Sequence, residues 1–214
     1  SITITNCTMI HGHGGVVIGS EMSGGVRNIT ISNCIFQNTD RGIRIKTRRR
    51  RGGMVEDVLV NNIMMDHVLV PFCINAYYCC GKTENEAYVF SREKQEIEPD
   101  TPRIRNIHIS NVIARNVKLS AMYILGLPEQ PVSGLRLSNM DISMRNDERF
   151  CWQPVFAKPE VNTCMEGIYA CNIRDCSFDG IHVQDQIGEA IVIEQGENIK
   201  IDGRAQLPEE GEKK

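Results

Sequence analysis

The chain has 214 residues, 41% of them hydrophobic and 24% charged, so it is long enough for one domain with a sizeable core. Its formal net charge of −3 argues against a general affinity for nucleic acids and other polyanions. No apolar run approaches the ~20 residues that a membrane helix needs.

The first residues already alternate like a strand and lack an initiator Met, so we expect amino-terminal coils to precede them. The nine cysteines are an odd number, and Cys7, Cys34 and Cys73 lie in apolar alternation, where buried reduced thiols are common. This pattern leans towards a reducing, cytoplasmic compartment and leaves a secreted or periplasmic location open.

A repeat of 27 to 29 residues organises most of the chain. Six segments alternate apolar and polar residues and then reach Asn or Asp; they begin at Ser1, Asn28, Asp57, Asn106, Gly134 and Cys171. The interval from Asp57 to Asn106 is longer, at 49 residues, which indicates one repeat that carries an insertion at about residues 79–105. The charged residues 204–214 lack the pattern and are expected to form a disordered tail after a repeat domain of residues 1–203.

A second strand-like segment follows 14 residues after four of these starts, at Gly15, Gly42, Pro71 and Ser120. A fixed offset inside a period in the high twenties predicts an all-β solenoid, a right-handed single-stranded parallel β-helix with one coil per repeat. A β-sandwich is the alternative, but its strands would not be expected to keep this offset. An Asn recurs at one position of the repeat and predicts a stacked ladder at a coil corner: Asn6, Asn33, Asn62, Asn111 and Asn139.

Two cations stand on one predicted strand, "GIRIK", which begins at Gly42. Its two isoleucines must face the core, so Arg44 and Lys46 are expected to face out together. The repeat places Arg44 beside Val17 on one neighbouring coil and beside Cys73 on the other. It places Lys46 beside Gly19 and Asn75 on the same two coils.

A histidine precedes the neighbouring strand in "HGHGG", where glycines permit tight turns and close approach. His13 beside an outward Arg and an outward Lys suits a ligand that carries carboxylates, because Arg grips a carboxylate through two hydrogen bonds and Lys adds a mobile charge. A groove along a β-helix suits a chain-like ligand.

Two motifs in this region resemble those of glycoside hydrolase family 28, the polygalacturonases. "GHGGVVIGS" at residues 12–20 is similar to the family's Gly-His-Gly motif, and "RIK" at residues 44–46 to its Arg-Ile-Lys motif, in the same order and at a fitting spacing. The resemblance implies a pectin-lyase-like β-helix that hydrolyses α-1,4-linked galacturonic acid with inversion. It implies that His13 supports the catalytic carboxylates and the leaving group, and that Arg44 and Lys46 bind a galacturonate carboxylate.

The "INAYY" segment, residues 74–78, follows one coil further on. Asn75 is expected to contact substrate, and Tyr78, or alternatively Tyr77, to stack on a sugar ring; packing is the alternative role for these aromatic side chains.

The family's three catalytic aspartates come from an Asn-Thr-Asp and an Asp-Asp motif upstream of Gly-His-Gly, where this sequence has neither. The "NTD" at residues 38–40 follows the His motif, so Asp40 is not assigned the acid role. We therefore expect this chain to carry the substrate-binding half of the site and to be inactive alone.

Two segments flank this predicted site. The four arginines at residues 48–51 are interpreted as a groove edge that attracts polygalacturonate, with a nucleic-acid patch as the alternative. The insertion is interpreted as a wall that shortens the groove and favours exo-action, with an incidental surface excursion as the alternative.

Other functions are compatible with part of this pattern. A non-catalytic β-helix that binds acidic polysaccharides would keep the cations, a rhamnogalacturonan hydrolase would depart from Arg-Ile-Lys, and a pectate lyase would need a calcium site. No zinc-type ligand spacing is present, and no metal or other cofactor is expected. The expected partner is an acidic polysaccharide or oligogalacturonide, with no nucleic acid and no membrane, while the oligomeric state is left open.

Overall fold

A computed structural model describes residues 1–81, 86–145 and 149–205 of the chain. Its elements, in chain order, are β1 (Ile2–Thr5), β2 (Thr8–Ile10), β3 (Val16–Ile18), β4 (Val26–Gln37), β5 (Arg41–Lys46), β6 (Met54–Asp66), β7 (Val70–Asn75), α1 (Ala87–Phe90), β8 (Arg103–Val117), β9 (Ser120–Leu125), β10 (Val132–Met144), β11 (Glu166–Gln184), β12 (Ile187–Ile201) and β13 (Arg204–Ala205). No helix in the described part of the chain has the length and apolar character needed to cross a membrane.

The strands stack in parallel, coil on coil. The long strands follow the order β1, β4, β6, β8, β10 and β11, and the short strands the order β3, β5, β7, β9 and β11. The last strand, β13, pairs with β12 antiparallel. This architecture confirms the predicted right-handed parallel β-helix. Of the predicted charged tail, residues 206–214 lie outside the described residues.

Like side chains stack on like inside the coil. One core row runs through Ile31, Val60, Ile109, Leu137 and Phe178, which are register partners on successive strands and at most 2% exposed. The row forms because the strand period of two sends every second residue inwards on each coil. Burial of each such side chain contributes about 1.5–3 kcal/mol to folding.

The predicted asparagine ladder is present at a coil corner. Its five members, Asn6, Asn33, Asn62, Asn111 and Asn139, all have φ between 52° and 56°, a left-handed conformation that Asn tolerates better than most residues. The side-chain amide of Asn62 donates to Asn33 Oδ1 at 3.2 Å, and that of Asn139 donates to Asn111 Oδ1 at 2.6 Å. The ladder therefore satisfies polar groups where each coil turns.

A second hydrophobic cluster lies outside the coil, on the outer face of β7 and β9. It joins Tyr77, Tyr123 and Leu125 to Val155 and Ala157, all at most 4% exposed. The last two belong to the connection between β10 and β11, and Phe90 of α1 packs against the same cluster. The inserted segment and this connection thus cover the outer face of the short-strand sheet beyond β5.

The interpretation of residues 48–51 as a groove edge that attracts polygalacturonate is wrong for Arg49. Its side chain is fully buried and forms two hydrogen bonds with the carboxylate of Glu129, at 2.6 and 2.9 Å. It also donates to the backbone oxygen of Ser91, at 2.7 Å, in the inserted segment. Burial opposes the charge of Arg49, but Glu129 outweighs it and raises the pKa of the guanidinium.

The neighbouring arginines hold surface partners. Arg50 pairs with Asp100 at 3.3 Å, and Arg51 pairs with Glu21 at 3.3 Å. Arg49 and Arg50 thus both bind residues of the inserted segment, which makes the tract an anchor for that segment.

A disulfide joins Cys151 and Cys164 and closes the connection between β10 and β11. The other seven cysteines are free, and Cys34 and Cys73 are buried as predicted. Disulfides persist in oxidising compartments, so the cysteines no longer favour a reducing one.

The substitution Arg49→Ala should lower the free energy of unfolding by about 3–5 kcal/mol, because it leaves the Glu129 carboxylate buried without its partner. The matched change Arg50→Ala, in the same tract, should leave stability unchanged within error, since its ion pair is exposed. Urea unfolding of both variants measures the difference. Equal losses would contradict the anchoring role of Arg49.

Candidate active site

The register of β5 with its neighbours brings the predicted site residues together. Val17 pairs with Arg44 on the β3 side, Arg44 with Cys73 on the β7 side, and Lys46 with Asn75, which confirms the predicted neighbours. A Cβ at Gly19 would collide with the backbone oxygen of Lys46. Glycine is therefore required where the coil of β3 passes closest to β5.

Arg44 leaves the coil as predicted, but solvent does not surround it. Its side chain is only 6% exposed, because its guanidinium carbon lies 5.5 Å from the ring centre of Tyr78 and 5.4 Å from that of Phe156. The expectation of an open, outward charge is wrong in this respect. The difference arises because residues 149–165, which carry Phe156, fold over this face of the sheet.

The guanidinium of Arg44 has no hydrogen-bonded or ion-paired acceptor among residues 1–81, 86–145 and 149–205. Its register neighbour Cys73 supplies no negative charge, since burial raises the pKa of that thiol. The guanidinium thus has ring contacts and no counter-ion in the described part of the chain, which leaves its hydrogen-bond donors available to an anionic ligand.

Lys46 lies beside this guanidinium. Its ammonium is 4.5 Å from the ring centre of Tyr78, and the same ring contacts Arg44. Burial, and then the charge of Arg44, lower the pKa of Lys46, while Glu21 opposes them. Two cations that contact the same Tyr78 ring favour binding of an anion between Arg44 and Lys46.

His13 is joined to the coil of β5 through Asp40. Its Nδ1 lies 2.7 Å from Asp40 Oδ2, while its side chain is 88% exposed. The backbone N–H of Asp40 donates to the oxygen of Gly12 at 2.8 Å, so the two segments are held at both side chain and backbone. The bond at Nδ1 leaves Nε2, on the opposite edge of the ring, to face solvent or a ligand.

The pairing of His13 with Asp40 is not predicted from the sequence. The sequence argues only against Asp40 as the catalytic acid. A signal was present, because the two residues are 27 positions apart, the interval between the first two repeats. Residues one repeat apart lie side by side on neighbouring coils.

Asn75 lies beside Lys46 as predicted, but its side chain is buried and bonded to the protein. It is 2% exposed; its side-chain amide donates to the Phe156 oxygen at 2.9 Å and its Oδ1 accepts from the Tyr77 N–H at 2.9 Å. These bonds do not fit direct contact of Asn75 with a substrate. They fit a residue that holds Phe156 against the sheet. Tyr78, in contrast, is half-buried between the two cations.

Arg41 is a further residue that sequence reasoning missed. It is 1% exposed, donates to the backbone oxygens of Pro154 and Gln153 at 2.6 Å each, and donates to that of Asp40 at 3.0 Å. Its guanidinium therefore ties residues 149–165 to the start of β5. Arg41 opens the "RGIRIK" segment, and this closeness to the motif was the available signal.

Comparisons with known proteins agree on one family. The model of Glycosyl hydrolases family 28 matches residues 1–163. A probable polygalacturonase from Vitis vinifera is 30% identical over 145 residues, which cover 67% of this chain and 27% of that protein. A probable polygalacturonase from Arabidopsis thaliana is 29% identical over 160 residues, which cover 71% and 34%.

A solved structure of the same family resembles the fold. The family 28 exopolygalacturonase of Yersinia enterocolitica superposes with a TM-score of 0.69 at 16% identity, over 94% of this chain and 31% of that one. The chain thus spans about a third or less of the length of these proteins. Since the family model covers most of the chain and the Gly-His-Gly and Arg-Ile-Lys segments lie on adjacent coils, the chain belongs to glycoside hydrolase family 28.

Proposed function

We propose that the protein containing this chain hydrolyses α-1,4-galacturonosyl linkages of polygalacturonate, and that Arg44 and Lys46 bind the carboxylate of one galacturonate unit. The observation that carries the proposal is Arg44, a residue only 6% exposed whose guanidinium contacts two rings and has no acceptor in the described part of the chain. A carboxylate accepts two parallel hydrogen bonds from such a group.

The surroundings of Arg44 prepare it for this role. Because Tyr78 and Phe156 flank the planar guanidinium, little side-chain freedom remains to be lost when a ligand binds. The nearby ammonium of Lys46 adds a second attraction to the same anion. A neutral methyl ester would accept weaker hydrogen bonds and would leave both charges unpaired.

His13 is proposed to support the reaction at its Nε2, near the bond that is cleaved. Asp40 is proposed as a positioning residue, since its carboxylate accepts a hydrogen bond from Nδ1 and so selects the tautomer and orientation of the ring. Inversion requires a carboxylic acid and a carboxylate on opposite faces of the sugar. As the family resemblance implies, we assign these two roles to carboxylates outside the chain described.

Exo-action is the proposed mode of cleavage. Supporting it, the inserted segment and residues 149–165 cover the outer face of β7 and β9, directly beyond the β5 coil. Arg92 of the inserted segment lies 3.8 Å from the ring centre of Tyr77, and Arg49 anchors the same segment. A groove that is closed on this side would admit a chain end but not a continuous chain.

The substitutions Arg44→Gln and Lys46→Met should each lower kcat/KM on trigalacturonate by about ten- to a hundred-fold, because each removes charge-assisted hydrogen bonds to the carboxylate. Arg174→Gln, whose exposed side chain pairs with Glu197 on another face, is the matched control and should have no effect. Steady-state kinetics on the acid and on its methyl ester provide the measurement. Variants that keep the wild-type preference for the acid would exclude the carboxylate clamp formed by Arg44 and Lys46. Binding without turnover in the natural-length protein would favour a non-catalytic polysaccharide-binding function.

Replacing Asp40 by Asn should lower kcat about ten-fold or more with KM within two-fold, because the imidazole loses its orienting carboxylate while the clamp is untouched. Asp100→Asn, on the insertion, serves as the control and should keep the wild-type kcat. A rise in KM at unchanged kcat would show that Asp40 acts on substrate binding instead.

The natural-length protein should release only mono- or digalacturonate from the earliest time points, since the covered face admits chain ends alone. Replacing residues 86–98 by a short Gly/Ser linker should add longer products, visible by anion-exchange chromatography. If the linker variant still releases only mono- or digalacturonate, the inserted segment does not set the mode of cleavage.

A further inference from the structure

The connection formed by residues 149–165 presents an indole ring to solvent beside the carboxylate clamp. Trp152 is 39% exposed, although a large apolar ring usually gains free energy from burial. Its ring packs edge-on against Phe156, with the ring centres 5.8 Å apart at 83°. Phe156 also packs 5.4 Å from the Arg44 guanidinium carbon, so one phenyl ring joins the indole to the clamp.

The exposed indole is held in place on several sides. The backbone N–H of Trp152 donates to the oxygen of Thr163 at 3.1 Å, and the N–H of Thr163 donates back at 2.9 Å. The disulfide between Cys151 and Cys164 links the residues next to this pair. Arg41, buried under the segment, lies 6.0 Å from the indole ring and binds the two backbone oxygens that follow Trp152.

A rigid, exposed aromatic ring binds ligands at a low cost in conformational entropy, and tryptophan is enriched among residues that dominate binding energy. The C–H face of a pyranose ring is the apolar surface that such an indole covers. Because Arg44 and Trp152 flank the same Phe156 ring, neighbouring sugar units of one chain can reach both.

We propose that Trp152 is a platform for a second sugar ring of the substrate, next to the ring whose carboxylate Arg44 binds. The inference rests on the proposed function for the identity of the sugar chain. It differs from the clamp in chemistry, since stacking on a C–H face does not require a charged carboxylate. Trp152 therefore contributes affinity for chain length, while Arg44 and Lys46 contribute selectivity for the acid.

Kinetics with the natural-length protein on oligogalacturonates of two to six units test the proposal. Trp152→Ala should raise KM about ten-fold for the longer substrates and leave the acid-over-ester preference unchanged, and Trp152→Phe should restore most of the loss by keeping an aromatic ring. Phe150→Ala is the matched control, because Phe150 is exposed to the same extent, at 40%, on the same connection. It should leave KM unchanged.

Trp152 is the single tryptophan of the 214 residues, so the part of a ligand-induced emission change that is lost in Trp152→Phe reports on this ring in the natural-length protein. Adding hexagalacturonate or its methyl ester should change the emission of the wild-type protein, and the change should be smaller in Trp152→Phe. No change in emission, together with a wild-type KM at every chain length in Trp152→Ala, would overturn the platform while the clamp could still stand. If Arg44→Gln has no effect but the emission responds to both sugars, the clamp fails and the platform stands.

Discussion

The site depends on the exact stacking of one coil on the next. Parallel pairing of successive coils places side chains of equal position side by side, so Val17, Arg44, Cys73 and Tyr123 form one outward row. A slip of one residue would turn Arg44 into the core. The stacked asparagines and the apolar rows inside the coil resist such a slip. They therefore fix the positions of the site residues.

Arginines serve two different purposes on this framework. Arg41 and Arg49 are buried and donate hydrogen bonds to backbone oxygens and, for Arg49, to the Glu129 carboxylate, and they fasten the two segments that cover the short-strand sheet. Arg44 is buried to nearly the same degree, yet its contacts are ring faces without a charged partner. Arg44 therefore differs from the two structural arginines in its lack of a protein acceptor in the described part of the chain, not in its burial, and this difference is the basis of the proposed ligand role.

Much of the coil was predictable from the sequence, because the repeat encodes strand positions, core rows and the asparagine corner in one pattern. The same reasoning placed Arg44 beside Val17 and Cys73. It missed the burial of Arg44, the partner of Arg49 and the packing of Trp152 and Phe156 beside Arg44. These features depend on the inserted segment and on residues 149–165, which lack the repeat, so contacts between them and the coil have no periodic signature.

A crystal structure of the natural-length protein with trigalacturonate would show whether Arg44 and Lys46 together bind a sugar carboxylate. We expect a carboxylate within hydrogen-bonding distance of the Arg44 guanidinium and the Lys46 ammonium, with a neighbouring ring near the indole of Trp152. A bound sugar whose carboxylates all lie away from Arg44, or an Arg44 that is paired with a protein carboxylate in that crystal, would contradict this expectation.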